Sequence, residues 1–179
     1  MPASLALGAV APSFSLPATD GKVVSLEALL EGRKAVCLVF TCNHCPVAIA
    51  YEDRLIALAR ELEPMGIAMV AINPNDDARV ADDSLEKMIE RARAKAFPYP
   101  YLRDASQEVA RAYGAACTPD PFVVGADRRL RYAGRIDDSW KDASRVTRRE
   151  LRDALVAIAE GRSVAPDPPP ATGCSIKWR

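Results

Sequence analysis

Apolar residues recur along the chain with two different periods, and these periods predict alternating strands and helices. Residues 35–40 and 67–72 are continuous apolar runs, which is typical of strands covered on both faces of a sheet. Between them, apolar residues recur at helical spacings of three and four at Val47, Tyr51, Leu55, Leu58 and Leu62. A strand, a helix and a second strand in this order form a βαβ unit, whose two strands are parallel.

The segments on either side of this unit predict further short strands and helices. Asp20-Gly21 separates two short apolar pieces and indicates a β-hairpin near the start of the chain. Asp83 and Glu86 resemble a capping box at the start of a helix with an apolar stripe. Later segments predict a short strand at 101–102, a helix at 107–113, a hairpin of 122–124 with 130–133, and a helix at 151–159. We expect an α/β fold with a central mixed sheet, helices on both faces, an N-terminal β-hairpin and a helical insertion.

The end of the chain differs in composition from the rest. Four prolines fall within a short stretch after Ser163, which is typical of extended backbone. We therefore divide the chain into a domain of residues 1–162 and an extended tail of residues 163–179. Ile176 and Trp178 are large apolar groups that favour a tail docked on the domain.

Charge and cysteine content narrow the function classes. Lysine and arginine total 24, as do aspartate and glutamate, so the net charge is zero and does not favour nucleic acid or an anionic membrane as a partner. The first basic residue is Lys22, and Gly8 and Pro12 interrupt the early apolar stretch, which is not typical of a secretory signal. The five cysteines are an odd number, which suits catalytic thiols in a reducing compartment. We expect a cytoplasmic protein.

The sequence Cys42-Asn43-His44-Cys45 carries the strongest chemical signal. It lies between the first buried strand and the long helix. Two thiols three residues apart on a first helical turn can form a disulfide, and the helix N-terminus stabilises a thiolate. His44 is the only histidine, and in its protonated form it would stabilise that thiolate further and make the disulfide more oxidising.

Metal binding is the alternative interpretation of this motif. A structural zinc site needs four ligands, commonly with a second close pair of Cys or His, and the sequence has no such pair. We therefore predict redox chemistry at Cys42 and Cys45, with no metal.

The other three cysteines have different surroundings in the sequence. Cys37 lies in an apolar strand and is expected to be a small buried hydrophobe. Cys117 is either a core residue or a thiol close to the motif. Cys174 is either a free surface cysteine or a resolving thiol that the tail brings back to the motif. The sequence leaves open whether five charged residues lie near the site or form ordinary surface ion pairs. These residues are Glu52, Asp53, Arg135, Asp137 and Asp138.

Several motifs together resemble the peroxiredoxin-like redoxins of the thioredoxin fold, the alkyl hydroperoxide reductase and thiol-specific antioxidant group. They span nearly the whole chain: Leu7 to Leu16 followed by Asp20-Gly21-Lys22, Thr41 to Pro46, Cys117 to Asp120, Gly134 to Asp138, and the Gly-Cys-Ser-Ile-Lys-Trp ending. The chain is most similar to a subgroup with a Cys-Asn-His-Cys-Pro motif. The resemblance implies a cis peptide before Pro119, a Thr118 backbone that pairs with a substrate strand, and an insertion at residues 76–96.

The sequence also departs from the pattern of that group. If Cys45-Pro46 matches the peroxidatic Cys-Pro, Cys42 replaces a hydroxyl residue and Leu38 replaces a proline. The resemblance then implies that the hydroxyl that orients peroxide is missing, which favours dithiol–disulfide exchange. It leaves the nucleophile open, because the first cysteine attacks in plain thioredoxins and the second position attacks in peroxiredoxins.

Three functional hypotheses follow. The first is a thiol–disulfide oxidoreductase in which Cys42 attacks, Cys45 resolves and Thr118-Pro119 positions the substrate, with no cofactor beyond the redox-active disulfide. The second is a thiol peroxidase with Cys45 peroxidatic and Cys42 or Cys174 resolving. The third is a soft-metal carrier or sensor that uses Cys42, Cys45 and Cys174. For the redox hypotheses, the expected partners are a disulfide or thiol substrate or a peroxide, and a reductant such as a thioredoxin or glutathione system.

Overall fold

A five-stranded sheet forms the centre of the computed structural model, which describes residues 5–179; the part of the signal-peptide prediction that concerns residues 1–4 lies outside them. The strands are β1 (Ser15–Pro17), β2 (Val23–Ser25), β3 (Ala35–Phe40), β4 (Ile67–Asn73), β5 (Tyr101–Arg103), β6 (Cys117–Thr118), β7 (Asp120–Gly125), β8 (Leu130–Ala133) and β9 (Cys174–Ser175). The helices are α1 (Leu26–Leu30), α2 (Pro46–Leu62), α3 (Leu85–Lys95), α4 (Glu108–Tyr113) and α5 (Glu150–Ala159), with 3-10 turns at Glu63–Met65, Ala81–Asp83 and Ala143–Arg145.

The central sheet has the order β5-β4-β3-β7-β8 and is mixed. Strand β3 pairs in parallel with β4 and antiparallel with β7, and β4 pairs in parallel with β5. The predicted βαβ unit and the hairpin of β7 and β8 are therefore confirmed. Strands β1 and β2 form the predicted N-terminal hairpin.

Alternate residues of β3 face two apolar clusters, one on each side of the sheet. Cys37 and Val39 join the cluster that contains residues of α2 and α5. Leu38 and Phe40 join the cluster that contains residues of α1 and α4. Because both faces are covered, every residue of β3 is buried, which explains its unbroken apolar sequence. The prediction for Cys37 as a buried hydrophobe is confirmed.

The sequence prediction was wrong about the start of α3. The N-cap is Ser84, whose side chain accepts a hydrogen bond from the Lys87 N–H, and Asp83 is not the capping residue. Asp83 is completely buried, and hydrogen-bonding groups from residues 43–44 and 73–75 surround its carboxylate. Helix α1, a short helix capped by Ser25, was not predicted.

The tail returns to the domain. Strand β9 pairs antiparallel with β6, and Ile176 is buried in the cluster on the α1 and α4 side of the sheet. The expected docking of the tail is confirmed, whereas the division of the chain at residue 162 stays a prediction. Within residues 5–179, every helix falls short of the length or the apolar character that a membrane span requires.

Candidate active site

The loop between β3 and α2 brings both cysteines of the motif to one edge of the sheet. Thr41 extends the pairing of β3, since its N–H donates to the Ile72 carbonyl at 2.8 Å. Cys45 is the N-cap of α2, and Pro46 occupies the first helical position, where no N–H is needed. The Cys45 side chain therefore lies at the N-terminus of α2.

Cys45 is the thiol with the strongest tendency to ionise. Its surroundings lower its pKa from 9.0 to about 4. The largest cause is a hydrogen bond from the Cys42 thiol, and further contributions come from the Cys174 thiol and from the N–H groups of Ala48 and Cys174, while burial opposes them. The Cys45 side chain makes no capping hydrogen bond, yet the nearby Ala48 N–H in the first turn of α2 still favours the thiolate. These surroundings favour the thiolate form of Cys45.

Cys42 has the opposite character. Its pKa is raised, because it donates a hydrogen bond to Cys45 and is desolvated by burial. It is only 2% exposed, and its Sγ lies 3.1 Å from the Thr118 hydroxyl oxygen. Of the two thiols, Cys42 is therefore the one whose protonated form is favoured.

Thr118 and Pro119 lie directly beside the two cysteines. The peptide bond between them is cis, and Thr118 is completely buried. The Cys45 Sγ lies 3.2 Å from the Thr118 carbonyl oxygen, so the Thr118 hydroxyl and carbonyl each contact one cysteine. The structure thereby brings together both halves of the predicted site, although they are far apart in the sequence.

Cys174 also lies at this position. Its Sγ is 2.7 Å from the Cys45 Sγ, longer than a disulfide bond of about 2.05 Å, and all five cysteines are free. The pKa of Cys174 is raised by burial and by its contact with Cys45. Cys117 is half-buried, and burial raises its pKa to about 12. Cys117 is therefore a protonated neighbour.

Asp83 is a site residue that the sequence reasoning missed. Its Oδ1 accepts hydrogen bonds from the Asn43 N–H at 2.7 Å and from Asn73 at 3.1 Å. Its Oδ2 lies 2.6 Å from His44 Nδ1 and accepts a hydrogen bond from Asn75 at 2.8 Å. The carboxylate therefore holds the centre of the Cys42–Cys45 loop. No spacing in the sequence links Asp83 to that loop. Together with Glu86, Asp83 resembled a capping box, which predicted a role at the start of a helix instead.

His44 is fixed by this contact. Its side chain is 23% exposed, and one of its ring nitrogens, the Cys42 sulfur and an oxygen of Asp83 lie within 4.8 Å of one another. Three such groups resemble a metal-ligand set. However, both Asp83 oxygens already accept hydrogen bonds, which an ion would have to displace. The arrangement suits an Asp–His pair beside Cys42 better than a metal centre.

The five other charged residues named from the sequence have partners of their own. Those partners are Arg91 for Glu52, Lys95 for Asp53, Glu150 for Arg135, Arg54 for Asp137 and Thr147 for Asp138. Asp137 is buried and also accepts a hydrogen bond from the Tyr51 hydroxyl at 2.8 Å. The contacts of Glu52, Asp53 and Asp137 tie α2 to α3 and to the segment after β8. Those of Arg135 and Asp138 join the segment after β8 to residues 147–150. All five residues therefore form structural contacts.

Residues 7–133 match the profile of the AhpC/TSA family, so the chain belongs to that family. The protein is accordingly an oxidoreductase that acts on thiols, with a thioredoxin-like fold. Two solved structures are similar over nearly the whole chain. An uncharacterized conserved protein from Geobacillus kaustophilus is 43% identical, with 97% of this chain and 93% of that chain covered and a TM-score of 0.92. A hypothetical protein from Sinorhizobium meliloti 1021 is 38% identical, with coverages of 99% and 97% and a TM-score of 0.92.

More distant structures share the fold. A peroxidoxin from Mycobacterium tuberculosis is 22% identical, with coverages of 88% and 98% and a TM-score of 0.64. A thiol:disulfide interchange protein of the thioredoxin family from Chlorobium tepidum is 21% identical, with coverages of 87% and 99% and a TM-score of 0.66. No curated protein matches the chain significantly.

Proposed function

We propose that the protein is a thiol–disulfide oxidoreductase whose redox centre is the pair Cys42 and Cys45, with Cys45 as the attacking thiolate. The observation that carries this proposal is the position of Cys45 at the N-cap of α2, where the helix N-terminus favours a thiolate, while Cys42 is buried against Thr118. The shifts of the two thiol pKa values, down for Cys45 and up for Cys42, agree with this position. Because the thiolate is the nucleophile in exchange, this order reverses the first sequence hypothesis, in which Cys42 attacks.

The exchange proceeds in two steps. The Cys45 thiolate attacks one sulfur of a substrate disulfide, forms a mixed disulfide and releases the other sulfur as a thiolate. Cys42 then loses its proton and attacks the Cys45 sulfur, which releases the second substrate thiolate and leaves a Cys42–Cys45 disulfide. An external thiol reductant returns both cysteines to the reduced form. The cysteine pair stores the two electrons, so the reaction requires no organic cofactor.

The Asp–His pair and Thr118 assist these steps. Cys42 has a raised pKa and needs a base when it attacks, and His44 is within reach of it through one water molecule. Asp83 holds the His44 ring in place through the contact between Oδ2 and Nδ1. The Thr118 hydroxyl positions the Cys42 sulfur, and Thr118-Pro119 forms the wall of the site against which the substrate is placed.

Trapping of the mixed disulfide tests this assignment. Reduced protein is mixed with bis(2-hydroxyethyl) disulfide, quenched in acid and mapped by peptide mass spectrometry. The Cys42→Ser variant is expected to accumulate the adduct on Cys45, and Cys45→Ser is expected to form none. An adduct on Cys42 in Cys45→Ser, formed at the wild-type rate, would overturn the order of attack. An unreactive wild-type protein would overturn the function itself.

Thiol peroxidase activity is a second candidate, favoured by the contact of 2.7 Å between the sulfurs of Cys45 and Cys174. The Cys45 thiolate would attack a hydroperoxide, giving a sulfenic acid and an alcohol or water after protonation. Cys174 would then condense with the sulfenic acid, releasing water and forming a Cys45–Cys174 disulfide. One equivalent of hydrogen peroxide followed by disulfide mapping distinguishes the candidates. A Cys45–Cys174 bond with fast peroxide consumption supports the peroxidase, and slow consumption supports exchange.

A further inference from the structure

The tail lies over the reactive sulfurs along a route that two glycines make available. The Arg135 N–H donates to the Pro169 carbonyl at 2.8 Å, and a Cβ added at Gly134 would lie 2.8 Å from the Pro168 side chain. At Gly173 the approach is closer still, since an added Cβ would lie 2.1 Å from the Thr118 carbonyl oxygen. That distance is shorter than any non-bonded contact allows, so the tail reaches Thr118 only because residue 173 is glycine.

Beyond Gly173, the chain pairs with the site as a strand. Cys174 lies opposite Thr118 and Ser175 lies opposite Cys117 in an antiparallel pair. An extended peptide that enters a site next to a strand edge makes this same kind of pairing. The backbone edge of Thr118, beside Cys42 and Cys45, is therefore occupied by the protein's own residues.

The end of the tail is held firmly in place. Ile176 is only 3% exposed, and the Trp178 ring stacks under the Arg111 guanidinium at 4.4 Å. The Lys177 N–H donates to the Asn75 side chain at 2.9 Å, and the Lys177 carbonyl accepts from the Asp76 N–H at 2.9 Å. Asn75 also donates to Asp83, so one hydrogen-bonded chain joins the tail to the Cys42–Cys45 loop.

Docking of the tail leaves both sulfurs of the reactive pair covered, with Cys42 2% exposed and Cys45 completely buried. A small disulfide carries no polypeptide backbone, so its reaction with Cys45 does not require the strand edge of Thr118. A disulfide within a polypeptide also carries backbone on both sides, and that backbone needs the strand edge that β9 occupies. We propose that residues 173–179 restrict this site to low-molecular-weight disulfides, and that Gly173 is the residue that determines this specificity. The proposal rests on the proposed function.

The test compares one small and one polypeptide substrate in the full-length protein. Turnover of bis(2-hydroxyethyl) disulfide and of insulin is measured with dithiothreitol as reductant for wild type, Gly173→Ala and Thr172→Ala. The added methyl group in Gly173→Ala removes β9 from Thr118, whereas Thr172 is exposed and serves as the matched control. Hydrogen exchange of residues 173–179 reports tail release independently of activity.

We expect wild type and Thr172→Ala to reduce the small disulfide and to reduce insulin poorly. In Gly173→Ala, insulin turnover rises about tenfold or more, because the fraction of molecules with a free edge rises. Hydrogen exchange in residues 173–179 rises together with insulin turnover. The Ile176→Asp variant, which releases the tail from its buried end, has the same two effects. Released tails without faster insulin turnover would overturn the proposal, as would wild-type turnover of insulin as fast as that of the small disulfide. If wild type reduces neither substrate, the proposed function itself fails.

Discussion

His44 Nδ1 and Asp83 Oδ2 lie 2.6 Å apart, and this contact joins the Cys42–Cys45 loop to a residue 39 positions further along the chain. Asp83 is completely buried and accepts three more hydrogen bonds, from Asn43, Asn73 and Asn75. One carboxylate thus fixes the loop that carries the reactive pair. The segment between β4 and α3 supplies that carboxylate, which gives this segment a direct role in the site.

Replacement of this carboxylate should loosen the loop. We expect Asp83→Asn to lower the free energy of unfolding by about 3 kcal/mol, because several buried donors lose a charged acceptor. The rate at which Cys42 closes the disulfide should also fall. Asp82→Asn, a change at the exposed neighbouring position, is the control and should leave both quantities unchanged. Urea unfolding and single-turnover kinetics measure them, and equal effects of the two variants would contradict the role of Asp83.

The hydrogen bond from Cys42 should control the ionisation of Cys45. In Cys42→Ala no donor remains at this position, so we expect the pKa of Cys45 to rise by about 1 to 2 pH units, the equivalent of one charge-assisted hydrogen bond. Cys42→Ser keeps a hydroxyl donor and should give a smaller rise. Titration of the thiolate absorbance in both variants checks this. Identical pKa values in the two variants would show that the donor is not the cause.

Thiol reactivity should follow ionisation rather than exposure. Cys117 is more exposed than Cys45, yet burial raises its pKa to about 12, and the pKa of the fully buried Cys37 is also about 12. At about pH 8 each of these two thiols is ionised in roughly one molecule in ten thousand. We therefore expect iodoacetamide to modify Cys45 and to spare Cys37 and Cys117, as mapped by mass spectrometry. Preferential labelling of Cys117 would show that exposure dominates.

Asp137 should contribute to stability without affecting the chemistry. Its carboxylate pairs with Arg54 at 2.7 Å and accepts a hydrogen bond from Tyr51. We expect Asp137→Asn to lower the free energy of unfolding by about 1 to 2 kcal/mol, because Arg54 loses its ionic partner. The rate of disulfide exchange should stay unchanged. A large loss of exchange rate at full stability would instead place Asp137 in the site.

Periodicity was sufficient to predict the sheet and the main helices. Strand β3 is buried on both faces and α2 on one, so each leaves a pattern in the sequence that burial imposes. The position of the cysteine pair followed from the same pattern, because the motif lies between these two elements. The family match and the similar solved structures agree with the fold derived in this way.

The parts that depend on long-range contacts were not predictable. The pairing of β6 with β9 involves strands of two residues each, which are too short to show a period. Asp83 contacts the loop only because the chain folds back, and its neighbours in sequence suggested a helix cap. The order of the two thiol pKa values depends on which sulfur lies at the helix N-terminus and which donates to it. That relation exists only in three dimensions.

The pKa of Cys45 is the most direct test of the account. Reduced wild type and Cys45→Ser are titrated by the ultraviolet absorbance of the thiolate, and the difference between them gives the Cys45 curve. We predict a midpoint near the value of about 4 that its hydrogen bonds impose. Because folding lowers this pKa from 9.0, ionisation of Cys45 stabilises the folded state. This contribution is complete above pH 9.0 and is lost as the pH falls to about 4. A midpoint near 8.5, the value of a free cysteine, would contradict the assignment of Cys45 as the attacking thiolate.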